Sequence, residues 1–118
     1  MRRDPRALLW DAQRAAQAIT EFTRGIGYTE FAGGLLLRSA VERQFEIIGE
    51  ALAQLSKIAP EVAEELPNLR RIVAFRNILI HGYATIDREI VWRAVHESLP
   101  ELQASLAALL GEMPEDAP

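Results

Sequence analysis

Residues 76–83 read Arg76-Asn77-Ile78-Leu79-Ile80-His81-Gly82-Tyr83, and three of their side chains are chemically capable. Arginine stays charged and grips anionic oxygens through paired N–H donors. Histidine is the side chain whose ordinary pKa lies near neutrality, so it can take up and return a proton. Tyr83 adds a phenol two positions later. At 3.6 residues per turn, Leu69, Ile72, Val73, Leu79 and Ile80 form one apolar stripe, with Arg76 at its centre. An arginine there either lays its stem over the core and snorkels, or points into a polar cleft between two surfaces. Asn77 and His81 are spaced i, i+4, so the amide can hold the imidazole. Gly82 is the expected helix terminator, which puts His81 at a helix end with Tyr83 just past it. Spacing alone favours a structural reading. In that reading Arg76 pairs with Glu50 across the bundle, His81 complements a helix C-terminus, and Tyr83 packs.

Other chemistry fares worse. The two histidines, His81 and His96, fall on different helices, and no His-x-x-x-His or Glu-x-x-His pair occurs, so no metal site is expected. Gly25-Ile26-Gly27 lacks the rest of a phosphate-loop pattern and reads as a helix stop. Ser39, Ser56, Ser98 and Ser105 all sit in helical runs, where none resembles an activated nucleophile on a sharp turn. With no cysteine, disulfides, thiolate metal sites and cysteine nucleophiles are excluded. No cofactor is expected.

A chain of 118 residues, 49% hydrophobic, suits a single domain over 1–118 that needs no covalent staple. Met1-Arg2-Arg3-Asp4-Pro5 has no apolar run behind its charges, and no segment approaches the length of a membrane span. A cytoplasmic protein without membrane contact is the expectation. The net charge of −4 argues against indiscriminate nucleic-acid coating. Arg70, Arg71 and Arg76 nevertheless cluster near the motif, away from the acids Glu61, Glu64, Glu65, Glu112, Glu115 and Asp116.

Four helices must position the motif. Asp4-Pro5 opens the first as cap and first-turn proline, and Leu8, Ala12, Ala15, Ile19 and Phe22 give it an inward face until about Arg24. Trp10 lies off that face and could mark a second contact. Thr29 is the expected cap of the second helix. There Leu37, Val41, Phe45, Ile48, Leu52 and Leu55 run beside a second stripe of Leu36, Ala40, Ile47 and Ala51, so this helix should be central. Gly33 and Gly34 weaken its start. Gly49, in its middle, costs about 1 kcal/mol relative to alanine and permits close approach of another backbone. Pro60 ends it, a short acidic turn follows, and Asn68 is the expected cap of the motif helix. Ala84-Thr85-Ile86 links to Asp87, a cap for the last run of Ile90, Val91, Val95, Leu99, Leu102, Leu106 and Leu109. Pro100 should kink that run, and residues 112–118 form a frayed tail. No period-two alternation occurs. The fold expected is all-α, an antiparallel four-helix bundle with short connections and a kinked last helix.

The string from Arg76-Asn77 through His81-Gly82-Tyr83 resembles the signature of the HepT-like branch of HEPN-domain proteins. Ile47-Ile48-Gly49-Glu50-Ala51 resembles that family's second-helix segment. Ile86 to Trp92 and Leu99-Pro100 resemble its last-helix region, so the likeness covers nearly the whole chain. The resemblance implies a metal-independent endoribonuclease toxin, paired with an MNT-type nucleotidyltransferase antitoxin. Its substrate would be RNA and not DNA, because the ribose 2′-OH is the nucleophile. Arg76 and His81 would be catalytic, with Asn77 and Glu50 in support, at the cleft of a two-fold homodimer. The resemblance also implies AMPylation of Tyr83 by the transferase, a bulky anionic group that inactivates the site. The acidic net charge fits the alternative, a catalytically silent HEPN module that binds a nucleotidyltransferase or nucleotide.

Overall fold

A computed structural model describes residues 4–81 and 87–112. Among them there is no strand, and the elements are α1 (Pro5–Thr23), α2 (Tyr28–Gly33), α3 (Leu35–Ile58), α4 (Pro60–Ala63), α5 (Leu69–His81), α6 (Arg88–Arg93), a π-helical turn (Ala94–Ser98) and α7 (Leu99–Glu112). The all-α bundle follows the amphipathic pattern. Its four long pieces are α1, α3, α5 and the run from α6 through α7.

Local chemistry sets the ends. The Asp4 carboxylate accepts from Arg6 N–H at 3.1 Å to open α1, with Pro5 in the first turn. Gly25, at φ 73°, adopts the left-handed conformation just past α1's end. Asp87 caps α6, accepting from Glu89 N–H at 2.9 Å. Thr29 does not cap. The helix starts at Tyr28 behind Gly27 with no side-chain cap, and it breaks again at Gly34. The expected second helix is therefore two, a six-residue α2 and a 24-residue α3. Asn68 contributes its carbonyl to α5, accepting from Ile72 N–H at 3.0 Å. The acidic turn after Ala59 closes as the four-residue α4.

Pro100 lacks the N–H that an α-helix needs and crowds the carbonyl one turn back. The chain answers one turn early. Across Ala94–Ser98 the hydrogen bonds widen to the π pattern, with Leu99 N–H reaching Ala94 O. The interruption expected at Pro100 thus precedes it, and the helix resumes at Leu99.

The core is built from α1 (Leu8, Leu9, Ala12, Ala16, Ile19), α3 (Val41, Ile48, Leu52, Leu55) and α7 (Leu99, Leu102, Leu106). α1 runs antiparallel to both partners. Its Thr20 bonds Gln103 of α7, while Arg6 at its other end donates to the Leu110 carbonyl at 3.1 Å. Three inward assignments change. Phe22 is exposed, and Thr23 takes the buried place, its hydroxyl donating to Ile19 O at 2.8 Å so that no donor is orphaned. Leu36 is 85% exposed because α1 ends before α3's first turn and leaves it uncovered. Ile90 is also exposed. Trp10, for which a second contact was expected, is exposed as well.

Candidate functional site

The site is assembled where α5 crosses α3. A shared cleft brings Ile80 beside Arg43 and Ile47, a second cavity brings Leu69 beside Ser56, and Gly49 meets Arg76 between them, so the two helices are antiparallel. A Cβ built on Gly49 would stand 2.2 Å from Arg76 Cβ and 2.7 Å from its Cγ. Glycine at 49 is what lets the arginine stem lie directly on α3. Mid-helix glycine and mid-stripe arginine are two halves of one contact.

Laid there, the Arg76 side chain is 27% exposed, and its head turns to the cleft. Nη2 donates to the Glu50 carboxylate, and Nη1 donates to Asn77 Oδ1 at 2.9 Å. Nε is buried, without an acceptor among the described residues. Glu50 remains 49% exposed, so its ion pair with Arg76 is worth only about 0–1 kcal/mol. The structure therefore places Arg76, Glu50 and Asn77 together, and it does so in the way the structural reading anticipated.

Asn77 spends its carbonyl oxygen on Arg76, and among the described residues no hydrogen bond joins it to His81. That departs from the i, i+4 clasp expected of the two. His81 is exposed in the last turn of α5, where a cationic imidazole complements the helix dipole. Gly82 and Tyr83 lie outside the described residues, as do the 84–86 linker and the tail from 113 onward.

The cleft beside Arg76 has a volume of about 330 Å³ and is lined by Leu8, Asp11, Arg43, Glu46, Glu50 and Gln54 among others. Arg43 and Glu46 pair within α3 at 3.4 Å. Asp11 and Gln54 were not anticipated. Asp11 follows Leu8 by three positions, so it shares that edge of α1, but only the α1–α3 packing says that the edge faces Arg76. Arg70 and Arg71 do not join it. Both line a different cavity, near Pro60 and Leu66. Among the described residues two guanidiniums thus face three carboxylates in this cleft, and the sequence cluster of Arg70, Arg71 and Arg76 is divided between two cavities. Among the described residues no three His, Asp or Glu side chains converge as metal ligands. No described helix is long and apolar enough to cross a membrane.

The model of the "Ribonuclease HepT-like" family matches residues 12–109, which takes in α3, the Gly49–Arg76 crossing and the whole 76–83 string. The chain belongs to the HepT-like ribonuclease family. A Methanocaldococcus jannaschii protein bearing the name "Putative RNase MJ1380" is 38% identical over 104 residues, covering 86% of this chain and 93% of that protein. A Thermococcus cleftensis protein named "Probable ribonuclease HepT" is 33% identical over 109 residues, covering 92% and 98%. No solved structure matches the chain. In this HepT-like chain, Arg76 and His81 stand on one helix, with the guanidinium held and the imidazole open.

Proposed function

We propose that this HepT-like protein is a metal-independent endoribonuclease that cuts RNA through its own ribose 2′-OH, with Arg76 and His81 as catalytic residues. The carrying observation is the Gly49–Arg76 crossing, which holds a permanent cation on the cleft edge of the helix that ends in His81. The 2′-oxygen attacks the adjacent phosphorus while the bond from phosphorus to the 5′-oxygen breaks, leaving a 2′,3′-cyclic phosphate and a 5′-hydroxyl. His81 moves the proton released by the 2′-OH. Arg76 holds the phosphorane oxygens with paired donors. Glu50 and Asn77 keep the fork oriented until a phosphate displaces the carboxylate, an exchange made cheap by the weakness of an exposed pair.

One chain supplies one arginine and one histidine, and its cleft is not basic. A homodimer with both copies of α5 at the two-fold axis doubles the set and covers Ile78, which is 56% exposed on that helix. The test is purified protein with RNA in EDTA, alongside light scattering at micromolar concentration. Cleavage in EDTA by a dimer is expected. Activity that is lost in EDTA and restored by magnesium, or a stable monomer, would contradict the reading. The cleft's three carboxylates favour a second reading, a silent helical module that binds a nucleotidyltransferase or nucleotide. Intact RNA in the same assay would select it.

Toxin–antitoxin pairing with an MNT-type nucleotidyltransferase, in the cytoplasm, completes the proposal. Tyr83 is the AMP acceptor, two positions past His81. An adenylate beside Arg76 would neutralise the cation and block the strand. Co-expression with the cognate transferase should add the mass of one or more AMP units, abolish cleavage, and leave Tyr83→Phe unmodified. An unchanged intact mass in a fully neutralised pair would show that occlusion suffices.

A further inference from the structure

An RNA strand needs more positive charge than the Arg76 cleft offers, and a second cationic feature lies at one end of the bundle. Arg38 of α3 and Arg88 of α6 both donate Nη1 to one oxygen, the Ala32 carbonyl, Arg88 at 2.9 Å. Two like charges held against one neutral acceptor repel each other, and neither forms an ion pair among the described residues. Glu42 lies one turn along α3; burial pushes its carboxyl up despite the opposing pull of Arg38, and among the described residues no ion pair joins the two. Each guanidinium carries five N–H donors and spends one nitrogen on the carbonyl. The donors left on two neighbouring forks match the oxygens of a phosphate.

The position suits a strand bound at the motif. Because α5 is antiparallel to α3, Arg38 near the start of α3 lies at the end of the bundle where α5 delivers His81. One turn further along the same two short helices stand aromatic rings. Tyr28, four residues before Ala32, meets the edge of Trp92, four residues after Arg88, with centroids 6.1 Å apart, and His96 packs on Trp92 at 4.3 Å. Tyr28 is 37% exposed. These rings rim an open recess of about 420 Å³, together with Glu89 and an exposed Arg93–Glu97 ion pair at 3.6 Å. A helical turn of about 5.4 Å is close to the reach from a nucleotide's phosphate to its base. Every base has a face to stack, and with Glu97 paired to Arg93, the Glu89 carboxylate is left to accept a hydrogen bond from a base amino group.

We infer that Arg38, Arg88 and the Tyr28–Trp92–His96 recess form a subsite for one nucleotide of single-stranded RNA, with its phosphate on the arginine pair and its base in the recess. The inference rests on the ribonuclease reading and names where that enzyme holds its substrate away from Arg76. The probe is a fluorescein-labelled single-stranded RNA with 2′-O-methyl sugars, which has no nucleophile and cannot be cut. Its anisotropy is measured between about 50 and 200 mM salt, the range over which phosphate contacts alter affinity most visibly. Arg38→Gln with Arg88→Gln keeps a donor for the Ala32 carbonyl but removes both charges, and Arg88→Gln alone spares the half-buried partner.

Loss of one phosphate contact should lower the slope of log K against log salt by about 0.7. Affinity at fixed salt should fall about tenfold. Tyr28→Ala should weaken binding at least about fivefold with the slope unchanged. An unchanged slope in both arginine variants would overturn the subsite. An arginine effect with no Tyr28 effect would reduce it to a phosphate site and overturn the nucleotide assignment, and a parent protein that does not bind the strand would overturn it as well. A parent that binds with these dependences yet leaves unmodified RNA intact would defeat the ribonuclease reading and leave the subsite standing. One that cuts RNA with all variants indistinguishable from the parent would do the reverse.

Discussion

His81→Ala is expected to lower RNA cleavage by about 10²–10⁴-fold, the usual loss when a positioned proton-transfer group is removed. The fold should not change. His81 is exposed at the last described turn of α5 and supports no core residue, so the helical circular dichroism signal and the melting temperature should stay close to the parent's. Arg76→Ala should cost about 10²–10³-fold, comparable to the loss of a charge-stabilising donor in other active sites. It should also perturb packing, because the removed stem is what lies on Gly49. The pair is therefore asymmetric, chemistry alone at His81 and chemistry plus packing at Arg76. Single-turnover cleavage of a labelled RNA, with thermal melts on the same samples, checks both. If each variant cleaves like the parent, neither residue belongs to the site.

Gly49→Ala sets two physical effects of opposite sign against each other. Alanine is the better helix former, by about 1 kcal/mol, so propensity alone makes the variant more stable. The new methyl would stand 2.2 Å from Arg76 Cβ, an atom next to the backbone that no rotamer change can withdraw. α5 must then lift from α3, and overpacking of this kind costs about 1–3 kcal/mol, occasionally more. Packing should win. The expected outcome is a melting temperature lower by several degrees and weaker cleavage, since the guanidinium moves with its helix. A variant more stable than the parent would mean that the Arg76 stem does not lie on Gly49.

Much of this was legible in residue order, and the reason is locality. A helix shows its buried face through spacing at 3.6 residues, and it marks its ends with a carboxylate at Asp4 or Asp87 and a proline at position 5 or 60, all of which act within one turn. The 76–83 string carried its family likeness on the same terms, as a run of neighbours. Arg76 in the middle of an apolar stripe and Gly49 in the middle of a helix could each be seen as odd in isolation.

That the two oddities touch is a non-local fact. It depends on the crossing of α3 and α5, which no spacing within either helix encodes. Coverage is likewise set by partners. Leu36 has the pattern of a core residue and stands in solvent because α1 stops short of it, while Thr23 is buried in place of Phe22. The charge of the Arg76 cleft was hidden for the same reason. Arg70 and Arg71 are its neighbours in sequence yet line another cavity, whereas Asp11, from a helix far away along the chain, lines this one. Local periodicity states which residues want to be covered. Only the packing of one helix on another decides what covers them, because burial and electrostatic contact depend on distance in space.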